Sequence, residues 1–297
     1  MATKKAASTK KSATKKSAVE PKATSTEKAA TAAPTTKTVV RERRESVLPS
    51  NLLSIIFAEL ITTFMLTVVA IGVATQFAPL YLGLTLLVAV MAIGGISGAH
   101  LNPAITFGLW SMRRLKTVLV PFYWIAQLLG GALAVIAVNG LSGNALKLSF
   151  DHFTTFSWAV FGVELIGTAV LMFGIAAVLS RSELKPSGQA VGVGLSLAVA
   201  AALAGGLLTQ VQSAVDTSSV RNIQELPHEL RAKGATLNPA VAIAATEAAD
   251  SSFTGAAANP NETPHSRFSL EVIFGTLVGA ALGGNLYLLI ASQHKND

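Results

Sequence analysis

The chain has 297 residues, of which 51% are hydrophobic and only 13% are charged, and its mean hydropathy is +0.52. This composition excludes an ordinary water-soluble domain and indicates a membrane protein. The sequence has no cysteine, which excludes disulfide bonds and cysteine metal sites.

The first 45 residues differ from the rest of the chain. They carry 12 of the 23 Lys and Arg residues but 4 of the 16 Asp and Glu residues, so their net charge is +8, whereas the remainder carries −1. Residues 1–45 are mainly Ala, Lys, Thr and Ser, which cannot bury a core, and we predict a disordered tail. Such a tail could contact anionic lipid headgroups or nucleic acid. We favour a solvated cytoplasmic tail without a nucleic-acid partner.

Hydrophobic patterning predicts six membrane spans within a channel domain at 50–292, because a bilayer core requires about 20 apolar residues per helix. Two shorter segments are predicted as half-helices that enter the membrane without crossing it. The spans are 51–75, 80–97, 117–138, 157–180, 188–209 and 268–292, the half-helices are 103–112 and 239–249, and the two halves of the domain are 50–138 and 157–292.

Basic residues set the predicted orientation. Clusters of Lys and Arg residues precede the first span, follow the first half-helix and separate spans four and five. Threading six spans places all three clusters on one side, which the positive-inside rule assigns to the cytoplasm. We therefore expect an integral protein of the plasma (inner) membrane with cytoplasmic N- and C-termini. The loops at 139–156 and 210–235 then face outward.

Two segments of the chain are nearly identical. His100–Ile105 and Thr236–Val241 each contain Asn-Pro-Ala at the start of an apolar stretch. Asn is a strong helix N-cap, and Pro suits the first helical turn. A capped helix start within a bilayer is tolerated only inside protein or beside a cavity. We therefore predict a pore, whose central residues are Asn102, Pro103, Ala104, Asn238, Pro239 and Ala240.

Further similarity relates the two halves of the domain. The segment Ala58–Thr63 in span one resembles Val163–Thr168 in span four. Because three spans separate them, the second half is inserted upside down, which predicts an inverted repeat with its site at the repeat interface. The half-helix N-termini, each with about half a positive charge, then meet near the midplane. There the amides of Asn102 and Asn238 would donate to a passing oxygen atom and cations would be repelled.

Glu59 and Glu164 are acids within apolar spans, where a carboxylate is costly and needs partners. They could relay protons or support the half-helix loops by accepting backbone N–H groups, and we favour support. His100 could be a ligand or proton carrier, and we favour a hydrogen-bonded loop anchor. No carboxylate pair, histidine cluster or Ser-His-Asp set suggests catalysis, so we expect neither an enzyme nor a cofactor or metal.

The sequence resembles the major intrinsic protein family, the aquaporins and aquaglyceroporins. The resemblance rests on Ser97–Ala104, on Tyr123–Gln127 and on both span glutamates, and it covers about residues 50–292. It implies an all-α, aquaporin-like fold with six transmembrane helices and two re-entrant half-helices. It also implies a homotetramer that passively conducts water and small uncharged solutes such as glycerol, urea or ammonia, and it assigns the glutamates to loop support.

The chain departs from the family pattern at the outer mouth. Most members have Arg directly after the second Asn-Pro-Ala, whereas this chain has Val241. Alignment with the family places the other filter positions at Leu82, Ala201 and Ala235. A filter without aromatic, His or Arg side chains should be wide and apolar, which disfavours strict selection of water or glycerol.

The outer loop at 210–235 is long, and loops of this length are often functional. Arg231 or Lys233 could fold over the mouth and supply the missing charge. The alternative, which we favour, is a solvated insertion.

Two other function classes stay open. A secondary transporter could share the inverted-repeat plan, and its ion or proton site would have to use Glu59, Glu164 or His100. A non-conducting membrane organiser could use the basic tail to recruit lipid or nucleic acid.

Overall fold

The computed structural model describes residues 48–143, 146–218, 222–255, 257, 259 and 262–293. The tail at 1–45, predicted to be disordered, lies outside the described residues. The described part is helical, with isolated backbone bridges that join Ser149 to His265 and Thr246 to Ser266.

Helices account for nearly all regular structure in the described part of the chain. In chain order they are α1 (Leu52–Gly72), α2 (Ala78–Ser97), α3 (Pro103–Ser111), α4 (Val120–Leu141), α5 (Trp158–Leu179), α6 (Pro186–Ala214), α7 (His228–Arg231), α8 (Pro239–Ala244), α9 (Ser251–Thr254) and α10 (Leu270–Gln293).

Six of these helices, α1, α2, α4, α5, α6 and α10, are long and apolar enough to cross a membrane. They coincide with the six predicted spans, which are thereby confirmed. Their outer faces expose large apolar side chains such as Phe57 and Trp158, as expected where lipid is the solvent. Helix α6 continues to Ala214, so the outer loop begins later than the predicted 210.

The two half-helices are α3 and α8, and both are mostly buried. Helix α3 packs against α10, whereas α8 packs against α4, so each half-helix contacts the last spanning helix of the other half. The spanning helices pair equivalently within each half, α1 with α4 and α5 with α10, whereas α2 packs on α6 across the two halves. The equivalent pairs and the exchanged half-helices fit the inverted repeat that the sequence predicts.

The second half-helix is shorter than the predicted 239–249, because α8 ends at Ala244. Beyond it the chain is held by residues that precede α10. The Ala245 carbonyl accepts from the Arg267 backbone N–H at 2.8 Å, and the Glu247 N–H donates to the His265 carbonyl at 2.9 Å. These partners replace the next helical hydrogen bonds.

Glycine permits the closest helix contacts. A Cβ atom at Gly283 of α10 would overlap the Ala169 carbonyl of α5, and one at Gly131 of α4 would overlap the Ala240 carbonyl of α8. Membrane helices associate through close backbone packing at small residues. These glycines therefore fix the positions of α10 and of the second half-helix.

Replacing Gly283 by Ala should destabilise the protein by about 1–3 kcal/mol, because the added methyl group forces α5 and α10 apart. Gly162→Ala on α5 is the matched control, since no neighbouring atom lies within 4 Å of the added Cβ. There Ala should be neutral or stabilising because it favours the helix. Thermal unfolding of both variants in detergent measures the difference, and equal midpoints would contradict the packing argument.

Candidate functional site

Asn102 and Asn238 cap the two half-helices. Their backbones are extended, and each side-chain oxygen accepts the N–H of the residue two positions on, Ala104 at 2.7 Å and Ala240 at 2.9 Å. The caps orient both side chains in the same way. Each Oδ1 atom is directed at its own helix, which leaves the amide nitrogen to donate elsewhere.

The two amides bind the opposite half of the protein. Asn102 Nδ2 donates to the Leu237 carbonyl at 2.7 Å, and Asn238 Nδ2 donates to the Leu101 carbonyl at 2.9 Å. An amide nitrogen carries two hydrogens, so each Asn retains one further donor. The exchange joins the half-helix N-termini directly, at the interface that the repeat predicts.

Sequence reasoning missed the two leucines in this exchange. Leu101 and Leu237 have φ values of +54° and +52°, in the left-handed region that non-glycine residues rarely adopt. Such a conformation costs about 1–3 kcal/mol. It turns each carbonyl towards the opposite Asn. The signal available in the sequence was the same residue, Leu, directly before both Asn-Pro-Ala segments.

Glu59 of α1 accepts hydrogen bonds from the segment before the first Asn. Its Oε1 atom accepts the Ser97 hydroxyl at 2.6 Å and the His100 N–H at 3.0 Å. Its Oε2 atom accepts the Leu101 N–H and the Gln127 side chain, both at 2.8 Å. The fully buried carboxylate thus fixes the left-handed turn.

Glu164 of α5 makes the equivalent contacts in the second half. Its Oε1 atom accepts the Thr236 N–H at 2.8 Å and hydroxyl at 3.1 Å, and its Oε2 atom accepts the Leu237 N–H at 2.8 Å. Instead of a glutamine, the guanidinium of Arg267 lies 4.0 Å away. Arg267 is buried and also lies 3.6 Å from Glu271. The sequence analysis did not select Arg267, although an Arg directly before an apolar span could have been noticed.

A cavity of about 20 Å³ lies at the Asn pair, and its polar lining includes His100, Asn102 and Asn238. This volume accommodates about one water molecule. Of the predicted filter residues, Leu82 and Val241 line the cavity. The other two, Ala201 and Ala235, are partly buried against the same apolar core.

His100 is held by its neighbours. Its Nδ1 atom lies 3.1 Å from the Thr106 hydroxyl, and its ring stacks on Tyr123 with the centroids 4.5 Å apart. Thr106 in turn contacts Gln127, the partner of Glu59. These contacts fit a loop anchor. The His100 side chain also lines the cavity.

Comparison with known proteins identifies the family. The family model described as "Major intrinsic protein" matches residues 43–212, which is more than half of the chain. The chain belongs to the major intrinsic protein family. With its six apolar helices, it is an integral, multi-pass membrane protein. The match ends before the second Asn-Pro-Ala segment, whose geometry comes from the structure.

This chain is similar to individual family members over about half of their length. "Aquaporin NIP2-1" of Zea mays is 29% identical over 164 residues, 52% of this chain and 55% of that protein. "Aquaporin AqpM" of Methanothermobacter marburgensis is 34% identical over 143 residues, 44% and 52% of the two chains. The aquaglyceroporin of Plasmodium falciparum shares the fold, with a TM-score of 0.54, 18% identity and coverage of 83% of this chain and all of that one.

The described residues of the long loop between α6 and α8 include a packed segment. Arg231 is buried and donates to Asp250 at 2.8 Å and to the Ile223 carbonyl at 2.8 Å. Gln212, near the end of α6, donates to the Glu229 carbonyl at 2.9 Å. Arg231 therefore binds Ile223 of its own loop and Asp250 beyond α8 instead of lining the cavity. Arg231 and Ala232 are buried, so this part of the loop is not a solvated insertion.

Lys233, the other candidate for the missing charge, is exposed and donates to the Thr246 hydroxyl at 3.3 Å. Like Arg231, it is not among the cavity-lining residues. The central cavity therefore receives no basic side chain from this part of the loop.

The loop before α5, the start of α7 and the segment after α8 bring together a histidine cluster that the sequence analysis did not expect. His152 precedes α5, His228 begins α7, and Glu247 follows α8. His152 Nδ1 lies 2.9 Å from one Glu247 oxygen, and His228 Nε2 lies 2.8 Å from the other. Sequence separations of 95 and 19 residues gave no spacing signal.

Burial is the largest single influence on the pKa values of this cluster, but the hydrogen bonds and charges of the partners together exceed it. Burial alone would lower the pKa of His228, but hydrogen bonds and charges from Glu247 and Glu271 together raise it to about 9. Burial would likewise raise the pKa of Glu247, but the partners His228 and His152 hold it below its usual value. His228 and Glu247 therefore form a buried ion pair.

Replacing Glu164 by Gln should lower the folded yield and reduce stability by about 1–3 kcal/mol, because an NH₂ group would face N–H donors and Arg267 would lose its counter-charge. Glu183→Gln, at an exposed carboxylate, is the control. Size-exclusion yield and thermal unfolding measure the effect. A normally folded Glu164→Gln protein that had instead lost a pH-dependent flux would favour a transporter.

Proposed function

We propose that the protein is a passive channel for water and small uncharged solutes of the glycerol, urea and ammonia class. The observation that carries this proposal is the reciprocal bonding of Asn102 and Asn238, which leaves two amide donors at a cavity the size of one water. A pair of donors directed at one point suits a passing oxygen atom.

The amide donors of Asn102 and Asn238 would orient a molecule that passes between them. A water oxygen that accepts from both amides has its hydrogens directed away along the pore. It can then donate to the water on either side but accept from neither, so protons cannot hop through the centre. The positive end of α3 adds to the barrier against cations and hydronium. Conduction then excludes charged species without a conformational change.

The apolar lining strengthens the exclusion of ions. Leu82 and Val241 offer no hydrogen bonds that could replace an ion's hydration shell, so an ion would enter at a high desolvation cost. An uncharged solute has a lower desolvation cost than an ion and can enter more easily. With Val241 where the family usually has Arg, we propose a permissive filter formed by Leu82, Ala201, Ala235 and Val241.

The contacts of the buried acids disfavour a proton-coupled transporter. Both oxygens of Glu59 accept hydrogen bonds, as do both oxygens of Glu164, and these bonds hold the pore loops. A carboxylate committed in this way is a poor proton carrier. Flux that is insensitive to pH and sodium gradients would support the channel.

A membrane organiser would depend on residues 1–45, which lie outside the described residues. Full flux from a chain that lacks the tail would exclude this function. We also propose a homotetramer in the plasma (inner) membrane, with both termini cytoplasmic. The basic residues Arg113, Arg114 and Lys116, directly after α3, support that orientation.

The central mechanism predicts that Asn238→Ser loses solute flux or admits ions. Serine keeps an N-cap oxygen but has no amide, so the variant separates capping from donation. Stopped-flow swelling and ion-flux assays on proteoliposomes measure it, with Asn102→Ser as the symmetric variant. Asn139→Ser, at an amide that donates to Val135, is the control. Two central variants that conduct normally and stay cation-tight would refute the mechanism.

The filter assignment predicts that Val241→Arg lowers glycerol flux more than water flux, because Arg adds five N–H donors and a permanent charge to the lining. Val241→Met adds length without charge and serves as the control for bulk. Stopped-flow swelling with each solute gives the glycerol-to-water ratio. An unchanged or higher ratio in Val241→Arg would remove Val241 from the filter.

A further inference from the structure

We propose that His152, His228 and Glu247 form a binding site for a divalent transition-metal ion, with Zn²⁺ as the best match. Each residue offers one ligand atom, and these atoms lie within 4.8 Å of one another. The site lies in the outer loops and is separate from the Asn pair. It goes beyond the proposed channel function, which needs no metal.

The donor set fits the ion. Two imidazole nitrogens and one carboxylate oxygen are the protein ligands of three-coordinate zinc sites that leave a fourth position open. In a tetrahedral site, bond lengths near 2.0–2.1 Å place ligand atoms about 3.4 Å apart. The two His–Glu separations are now 2.9 and 2.8 Å. A small outward movement would therefore admit the ion.

Neighbouring residues already orient the ligands. Glu271 Oε1 lies 3.1 Å from His228 Nδ1, on the ring edge away from Glu247. A carboxylate behind a metal-binding histidine fixes its tautomer and increases its basicity. The His265 ring stacks on His152 at 3.9 Å with a 7° angle, which sets the plane of that imidazole.

The buried charges around the site suit a divalent cation. Glu164, Glu247 and Glu271 are all at most 4% exposed, and Arg267 lies beside Glu164 and Glu271. A bound metal ion takes the place of the proton on His228, and with neutral histidines these groups carry two more negative than positive formal charges. A divalent cation supplies the difference, and unpaired buried carboxylates are costly.

The ion can reach the site from outside. The His152 side chain is 29% exposed, whereas those of His228 and Glu247 are 8% and 2% exposed. The open coordination position therefore faces the His152 side, where water can bind. A bound ion would join the loop before α5, the α7 segment and the chain that follows α8.

The test uses the full chain in detergent, without a polyhistidine tag and after EDTA treatment and dialysis. Calorimetric titration with Zn²⁺ should show one saturable site per chain, and Zn²⁺ but not Mg²⁺ should raise the thermal unfolding midpoint. Mass spectrometry of the metal content after Zn²⁺ loading and desalting checks the stoichiometry. Absence of saturable Zn²⁺ binding by the wild-type protein would overturn the proposal and leave only a hydrogen-bonded histidine network.

His152→Gln should weaken Zn²⁺ binding at least about tenfold. Gln can keep a hydrogen bond to Glu247, and the partly exposed position should preserve the fold, which the metal-free unfolding midpoint checks. His265→Phe keeps the stacked ring without a nitrogen and should bind Zn²⁺ like the wild type. Wild-type affinity in His152→Gln, or an equal loss in His265→Phe, would overturn the ligand assignment.

Discussion

The reciprocal hydrogen bonds between Asn102 and Leu237 and between Asn238 and Leu101 are the constraint on which the rest of the structure depends. They require two carbonyls on left-handed residues at the buried centre of the protein, where an unpaired polar group is costly. The span glutamates offset the strain by accepting the N–H groups of the same turns. Close glycine contacts, such as that of Gly131 with α8, then bring the turns into range.

The two halves support this centre with different chemistry. In the first half the partners of Glu59 are neutral, and Gln127 and Thr106 continue the network. In the second half Glu164 faces buried Arg267, which leads through Glu271 to the outer loops. Removing one partner of a buried charge pair is more costly than removing a neutral hydrogen bond. The second half is therefore the more sensitive to changes in its loops.

The sequence predicts those features that depend on local patterns. Span length, helix capping and the two span glutamates are visible in short segments. The structure has the six expected spanning helices, and both glutamates accept backbone N–H groups of the half-helix loops. The roles of Leu101 and Leu237 were missed because they depend on backbone conformation and not on the side chain. The end of α8 and the approach of His152 to Glu247 depend on contacts with distant segments. Such contacts leave no periodicity or spacing in the sequence.

The exchange of half-helices between the repeats has a consequence for biogenesis. Helix α3 packs against α10, and the amide of Asn102 finds its partner carbonyl on the residue before Asn238. A ribosome delivers the first half before either partner exists, and chains are made at about 5–20 residues per second. For several seconds, the first re-entrant segment has no complete binding site in the bilayer. Its contacts with α10 and with Leu237 can form only after those segments have been made, so the centre is completed late.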